Sequence, residues 1–242
     1  MGLLATMREA NPMVYDKQVF KLESNDGATL LPFLDQIRRT YNVVGEKYHK
    51  LFHDEMSKKD YDCELLNQFA KCFTSNSLIY DVGCGPSGHI GRYLFDKGLN
   101  VSGLDISEEC INIARQANPT MRFEVGNMVH MNIMDNSLDG IISFYSIIHT
   151  PKMYQSLIFK EFNRTLKKGG KLLLVVKHGD SEEEQVELLG FKTRIWFAHF
   201  SEGEIRDYLS QNGFMIKFLE TRNPYDFEIN NQRIYAIGEK IN

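Results

Sequence analysis

The sequence predicts an α/β fold: a doubly wound, mostly parallel seven-stranded sheet with helices on both faces and an antiparallel last strand. Three observations carry this expectation. From residue 78 onward short apolar runs alternate with amphipathic stretches, the pattern of a parallel sheet covered on both sides. The first run, Leu78-Ile79-Tyr80-Asp81-Val82, ends in a glycine-rich turn, which reads as a buried strand by its length and its boundary. The last two runs are joined by residues 221–232 with no helical pattern, so they are expected to pair antiparallel at one end.

The elements follow in order. Residues 1–35 lack clear periodicity, and Asn25-Asp26-Gly27 is a turn signal; this stretch is expected to be an N-terminal arm or lid ahead of one domain over residues 36–242. Ile37, Tyr41, Val44, Tyr48 and Phe52 fall three and four apart, one face of a helix. A second helix fits residues 60–73. Strands are then expected at 78–82, 100–104, 121–125, 138–144, 171–177, 214–220 and 233–238, and helices at 88–97, 107–117, 151–167 and 202–212. Thr150-Pro151 supplies an N-cap and a proline for the first turn of the 151–167 helix, and Gly169-Gly170 reads as its stop. Ser201 and Glu204 make a capping box, with Phe200 and Ile205 as a hydrophobic staple and Gly213 as the terminal stop. Residues 179–200 form an insertion whose acidic run, Ser181-Glu182-Glu183-Glu184, reads as a solvated turn.

Composition narrows the function classes. With 242 residues, 43% hydrophobic and 25% charged, the chain has globular averages, which excludes wholesale disorder. A net charge of -4 argues against a large phosphate-binding surface, and so against nucleic acid as a partner. No apolar run approaches a membrane span, and no basic segment followed by an apolar core marks a secretory signal. Cys63, Cys72, Cys84 and Cys110 make no C-x-x-C pair and no cluster with zinc-ligand spacing, so no metal is expected. Reduced thiols in a cytoplasmic protein are the expected reading. His49 and His53, an i, i+4 pair, read as a solvated helix face. Nothing in the sequence sets the oligomeric state.

The chemistry concentrates in Asp81-Val82-Gly83-Cys84-Gly85-Pro86-Ser87-Gly88, a turn between a strand and a helix. Glycines there let backbone approach a ligand, and the following helix offers free N–H groups. Gly83, Gly85 and Gly88 satisfy G-x-G-x-x-G, the dinucleotide fingerprint. Asp81 separates the readings. A carboxylate two residues before the first glycine would repel a pyrophosphate, whereas S-adenosylmethionine (SAM) brings an ammonium and a sulfonium. Asp105, ending the next strand, suits ribose hydroxyls in either case. The plainer readings are a strand-end residue tying down backbone N–H groups and a helix-entry acid before Ser107.

Taken in order, these segments resemble the class I SAM-dependent methyltransferases over residues 38–240. Asp81 to Gly85 looks like that family's glycine motif, and Val101 to Ile106 like its ribose-binding strand end. Gly126-Asn127-Met128 stands where the family commonly has Gly-Asp-Met against the adenine amino group. Asp139 to Phe144 resembles its fourth strand, and Arg164 to Gly170 its Arg-x-Leu-Lys-Pro-Gly-Gly stretch. Tyr41 and Tyr48 lie in a segment similar to the Tyr-Asp-x-x-Ala-x-x-Tyr element that closes over the cofactor. The resemblance implies a Rossmann-like methyltransferase fold, SAM as cofactor, and cofactor contacts at Tyr41, Tyr48, Asp81, Gly83, Cys84, Gly85, Gly88, Asp105, Ile106, Asn127, Met128 and Tyr145. The chain departs from the family at Ser87, an apparent one-residue insertion, at Asn127, which replaces the usual acid, and at Asn42 and Gly45, where Asp and Ala are favoured.

Methyl transfer from a sulfonium is an in-line displacement that asks the protein to align the acceptor, exclude water and, for some acceptors, remove a proton. His149, after the fourth strand at the sheet's carboxyl edge, is the candidate general base; the reading favoured for it is a hydrogen bond near the helix entered at Thr150. Trp196, the sole tryptophan, suits an acceptor pocket and core packing equally. The expected activity is transfer to a small-molecule O or N acceptor. The alternatives are RNA or protein methylation, an NAD(P)-linked oxidoreductase, and a non-catalytic SAM-binding protein.

Overall fold

The computed structural model describes residues 25–242, with side chains from Leu30 onward; the part of the expected arm before residue 25 lies outside the described residues. Helix α1 spans Asn25–Phe52. The turn expected at Asn25-Asp26-Gly27 is therefore helical, and the division placed at residue 35 falls inside this helix. Leu30 and Leu34 are fully or almost fully buried and pack with the domain core, which overrides the weak local turn signal.

The order continues with α2 (Asp60–Ala70), β1 (Leu78–Val82), α3 (His89–Phe95), β2 (Asn100–Asp105), α4 (Glu108–Ala117), β3 (Arg122–Val125) and β4 (Leu138–Phe144). Then come α5 (Gln155–Thr165), β5 (Leu166–Lys177), β6 (Glu182–Leu188), β7 (Phe191–Ala198), α6 (Glu202–Gln211), β8 (Phe214–Arg222) and β9 (Arg233–Lys240). Seven strands form one sheet in the order β3-β2-β1-β4-β5-β9-β8. Strands β1 to β5 run parallel, and β9 is antiparallel to both its neighbours. This is the predicted class. The run Leu172 to Val176 in β5 is buried throughout, because helices cover both faces. One apolar layer packs β4 and β5 under α5 and α6; the other packs β1 and β2 under α2, α3 and α4.

Three local expectations change. Helix α5 ends at Thr165 and Leu166 is already extended, so Gly169-Gly170 is not its stop. Those glycines lie within β5, beside the register shift against β4. Thr150-Pro151 does not open α5 directly: Pro151 is extended and leads into a 3-10 turn at Lys152–Tyr154. The Gln155 side chain instead donates to the carbonyls of Ile147 and Thr150, tying the start of α5 to the loop after β4. The acidic run is not a turn, since Glu182 begins β6, which pairs with β7 as a hairpin. The hairpin turn is Leu189-Gly190, both with positive φ, the twist that matches right-handed strands. The capping box at Ser201 and Glu204 is present.

β1 turns back to β2 on one side and lies beside β4 on the other. Chain order reverses there, so the carboxyl ends of β1, β2 and β4 open onto a crevice, the usual ligand position in such sheets. Helix α1 crosses that crevice and packs on α4 and β7.

Candidate active site

The crevice under α1 is a cavity enclosing about 900 Å³ of space, part of it open to solvent. The turn after β1 forms its floor. Gly83 has φ +79, and a Cβ on it would fall 2.2 Å from Ser146 Cβ; only glycine lets this turn pass under the loop after β4. The Gly85 N–H donates to Asp105 Oδ2 at 2.9 Å, and the Ser107 N–H to Asp105 Oδ1 at 2.9 Å. Each Asp105 oxygen thus keeps acceptor capacity on the cavity side. The Gly91 N–H in α3 donates to Asp81 Oδ2 at 3.0 Å, so the plainer reading of Asp81, a strand-end acid holding backbone, is realised along with its place in the cavity wall.

Both acids are buried and neither forms an ion pair among the described residues. Burial lifts the Asp81 carboxyl to about 7, against the pull of the Gly91 N–H and with help from Asp105. Burial raises Asp105 as well, opposed by the N–H groups it accepts.

At the far side, Ile106, Asn127 and Met128 line the cavity. Asn127 Oδ1 accepts the Val129 N–H at 3.1 Å, while its Nδ2 is buried with no partner. A heterocycle edge carrying ring nitrogens would satisfy that donor. An adenosine with a cationic tail fits the set: ring edge at Asn127, ribose at Asp105, positive charge toward Asp81. Tyr41 and Tyr48 close the top from α1, edge to face with ring centroids 6.0 Å apart. Cys84, Gly85 and Tyr145 complete the wall. Tyr145 has φ +52, uncommon for a bulky residue, and its N–H bonds the Val175 carbonyl at 2.8 Å. Gly88 is the one sequence-predicted site residue outside the lining. A Cβ there would meet the Phe123 ring at 2.7 Å, so its role is packing of α3 on the sheet.

His149 lies at the other end, buried, with both nitrogens engaged. Nδ1 is 2.9 Å from the Trp196 carbonyl and Nε2 2.9 Å from the Tyr41 hydroxyl. A carbonyl only accepts, so Nδ1 carries the proton and the neutral ring accepts from Tyr41 O–H at Nε2. Burial pulls the imidazole down to about 4. His149 thereby joins α1 to β7 across the mouth of the cavity. Trp196 does not line the cavity; its indole donates to Glu182 at 3.1 Å and its ring stands edge-on to Phe33 at 5.7 Å.

Sequence reasoning missed Glu55 and His89, which also line the cavity, and Lys177, which packs behind His149. Its Nζ sits 4.9 Å from the Phe197 ring centroid, and that ring is 4.8 Å from His149. Position alone could have flagged His89, the residue directly after the glycine turn. Glu55 and Lys177 carried no local signal. Among the described residues no group of three His, Cys, Asp or Glu could hold a metal ion.

A strand-turn-helix floor with a buried acid pair stands at the topological switch point, the usual ligand position in doubly wound sheets. Comparison with known proteins carries this further. Residues 80–174 match the methyltransferase domain family. The chain is 26% identical over 227 residues to phosphoethanolamine N-methyltransferase 2 of Caenorhabditis elegans, covering 89% of this chain and 50% of that protein. It is 31% identical over 115 residues to the 2-methyl-6-phytyl-1,4-hydroquinone methyltransferase of a Synechocystis species, 46% of this chain and 35% of that one. The chain therefore spans half or less of the length of these two relatives. The SAM-bound magnesium protoporphyrin IX methyltransferase of Synechocystis shares the fold, with a TM-score of 0.66 at 18% identity over 86% of this chain and 97% of that one. The chain is thus similar to SAM-dependent methyltransferases over residues 80–174 and shares their fold.

Proposed function

We propose that this protein transfers the methyl group of SAM to a nitrogen or oxygen of a small-molecule acceptor. The observation that carries the reading is the pair of buried carboxylates, Asp81 and Asp105, lining one cavity without a neutralising cation. Water-poor surroundings strengthen their attraction for an ammonium and a sulfonium and would repel a pyrophosphate. SAM supplies a methyl carbon already activated by sulfonium charge. In the transfer the acceptor lone pair forms the new bond to that carbon as the C–S pair returns to sulfur, and the acceptor sheds its proton to water or to a nearby base. Asp105 orients the ribose, Asn127 meets the adenine edge, and Tyr41 and Tyr48 exclude water from above. α1, rather than a separate arm, supplies the cap.

The acceptor enters beside Tyr145 and His149. Tyr41 and neutral His149 form a polar pair there that can accept and pass a proton. Lys177 Nζ has no hydrogen bond or ion pair among the described residues, and burial, together with Arg233 opposite it on β9, lowers its pKa. An acceptor bearing an anionic group beside the methylated atom would relieve that charge, and the nematode relative is named for phosphoethanolamine. The four unpaired cysteines support a reducing compartment such as the cytoplasm.

The test is transfer of labelled methyl from SAM across a panel of phosphoethanolamine, ethanolamine, a hydroquinone, a protein mixture and transfer RNA. Labelling of small molecules supports the reading. Labelling of RNA or protein alone, or binding of NAD without SAM, overturns it.

A further inference from the structure

The glycine turn and the loop after β4 meet at a pair of serine hydroxyls. Ser143 lies in β4 and is fully buried; Ser146 follows the strand, is half-buried and lines the cavity. Their Oγ atoms are 2.5 Å apart, and among the described residues neither hydroxyl has another hydrogen bond. A buried O–H without an acceptor is costly. The Ser146 oxygen is the one acceptor the Ser143 proton has, so Ser143 donates to it; the reverse bond would leave the Ser143 proton unpaired in the core. Ser146 is thereby fixed as the acceptor of Ser143, and its own proton turns to the cavity.

Ser146 stands where the two ends of the cavity meet. It overhangs the floor, since a Cβ on Gly83 would fall 2.9 Å from its Oγ. It also leads into the 3-10 turn Ile147–His149, and residues three apart in such a turn share a side. Ser146 and His149 both line the cavity, so the serine proton faces the end at which the acceptor enters.

Resting on the SAM reading above, we propose that Ser146 is a specificity-determining residue that donates its O–H to the acceptor atom and so favours oxygen over nitrogen. A hydroxyl oxygen has two lone pairs. One accepts from Ser146 while the other forms the bond to the methyl carbon, the C–S pair returns to sulfur, and the hydroxyl proton leaves to water. An uncharged amine nitrogen has a single lone pair. Held by Ser146, that pair is lost to the methyl carbon; aimed at the methyl carbon, it leaves the Ser146 proton unpaired in a site closed to water. Ser143 touches neither reactant and acts as a positioning residue that keeps the Ser146 proton on the cavity side.

Two pairs of acceptors that differ only in the reacting group test this: salicylate with anthranilate, and hydroquinone with p-phenylenediamine. Transfer of labelled methyl from SAM is measured alongside calorimetric affinity for S-adenosylhomocysteine. In wild type, kcat/KM for the hydroxyl member of at least one pair should exceed that of its amine partner about tenfold or more, the scale of one unpaired buried donor. Ser146→Ala should bring that ratio toward one by slowing the hydroxyl member, with S-adenosylhomocysteine affinity within about threefold of wild type, which also reports an intact fold. Ser143→Ala frees the Ser146 hydroxyl to turn and should give an intermediate ratio. Transfer to both amines as fast as to their hydroxyl partners, no transfer to either hydroxyl, or an unchanged ratio in Ser146→Ala overturns the oxygen assignment and leaves the SAM reading standing. A larger loss of S-adenosylhomocysteine affinity in Ser146→Ala also overturns it, by placing the hydroxyl on the cofactor. Failure of wild type to bind S-adenosylhomocysteine overturns the SAM reading itself, and with it this assignment.

Discussion

The two ends of the cavity are built by different means. The end proposed for the cofactor comes from three consecutive strand ends, with Asp81, Asp105 and Asn127 each held by backbone N–H groups between 2 and 20 residues away. The acceptor end is assembled at long range: Tyr41 from α1, His149 after β4, and the Trp196 carbonyl from β7. Charge follows the same division. The cofactor end holds buried acids with raised pKa values, whereas the acceptor end holds a neutral histidine and an unpaired lysine. A site that binds one fixed cation can be written into local turns, while a site for a variable acceptor is built on elements that can be exchanged.

From that division the largest expected effect on cofactor binding comes from Asp105. Asp105→Ala removes the acceptors for the ribose and the anchor for the Gly85 N–H. Two charge-assisted hydrogen bonds of about 1.5–3 kcal/mol each correspond to a loss of roughly 10²–10⁴ in S-adenosylhomocysteine affinity. Calorimetric binding within threefold of wild type would remove the ribose assignment and the contrast with it.

The opposite signs of the two ends predict a pH signature in the ligand-free protein. Asp81 is raised to about 7, so the folded state binds the extra proton; stability is full below the unfolded value of about 3.9 and falls as pH rises toward 7. His149 is lowered to about 4, so its penalty grows as pH falls from about 6.5 toward 4. Each swing is on the order of 3–4 kcal/mol, and between pH 4 and 6.5 they oppose. Wild type should therefore show a shallow melting-temperature profile there. Asp81→Asn should melt higher as pH rises across this window, and His149→Gln lower. Parallel profiles in the two variants would show that the groups do not titrate as their burial demands.

The same division explains what the sequence revealed. Strand order, the antiparallel last strand and the glycine turn were legible because each rests on local period or local backbone need, as at Gly83, where Ser146 leaves no room for a Cβ. Gly88 matched the motif as a string, yet packs against Phe123 outside the cavity. The start of α1 was hidden because burial of Leu30 and Leu34 overrides a turn signal at Asn25-Asp26-Gly27. The hairpin was hidden because its first strand is mostly solvent-facing and reads as an acidic run. Glu55 and Lys177 gave no pattern, since what places them in the site is contact with His89, 34 residues from Glu55, and with Phe197, 20 residues from Lys177.

A smaller effect is expected at Tyr41. Tyr41→Phe leaves the His149 lone pair buried without its donor, a cost of about 1–3 kcal/mol. Because the hydroxyl faces the acceptor end, kcat should fall about tenfold or more while S-adenosylhomocysteine affinity changes less than threefold. Equal losses in both quantities would mean that α1 closes the site as one unit and that the two ends are not separable.

The smallest change sharpens the comparison most. Lys177→Met keeps the stem that packs on Phe197 and removes only the charge. A partly solvated ion pair is worth about 1 kcal/mol, so KM for an anionic acceptor should rise roughly fivefold to tenfold while KM for its neutral counterpart, ethanolamine against phosphoethanolamine, stays put. Lys177 lies behind His149 rather than in the cofactor wall, so SAM binding should not move at all. Equal effects on both acceptors would reduce Lys177 to a packing residue, and any loss of SAM affinity would place its charge at the cofactor end after all.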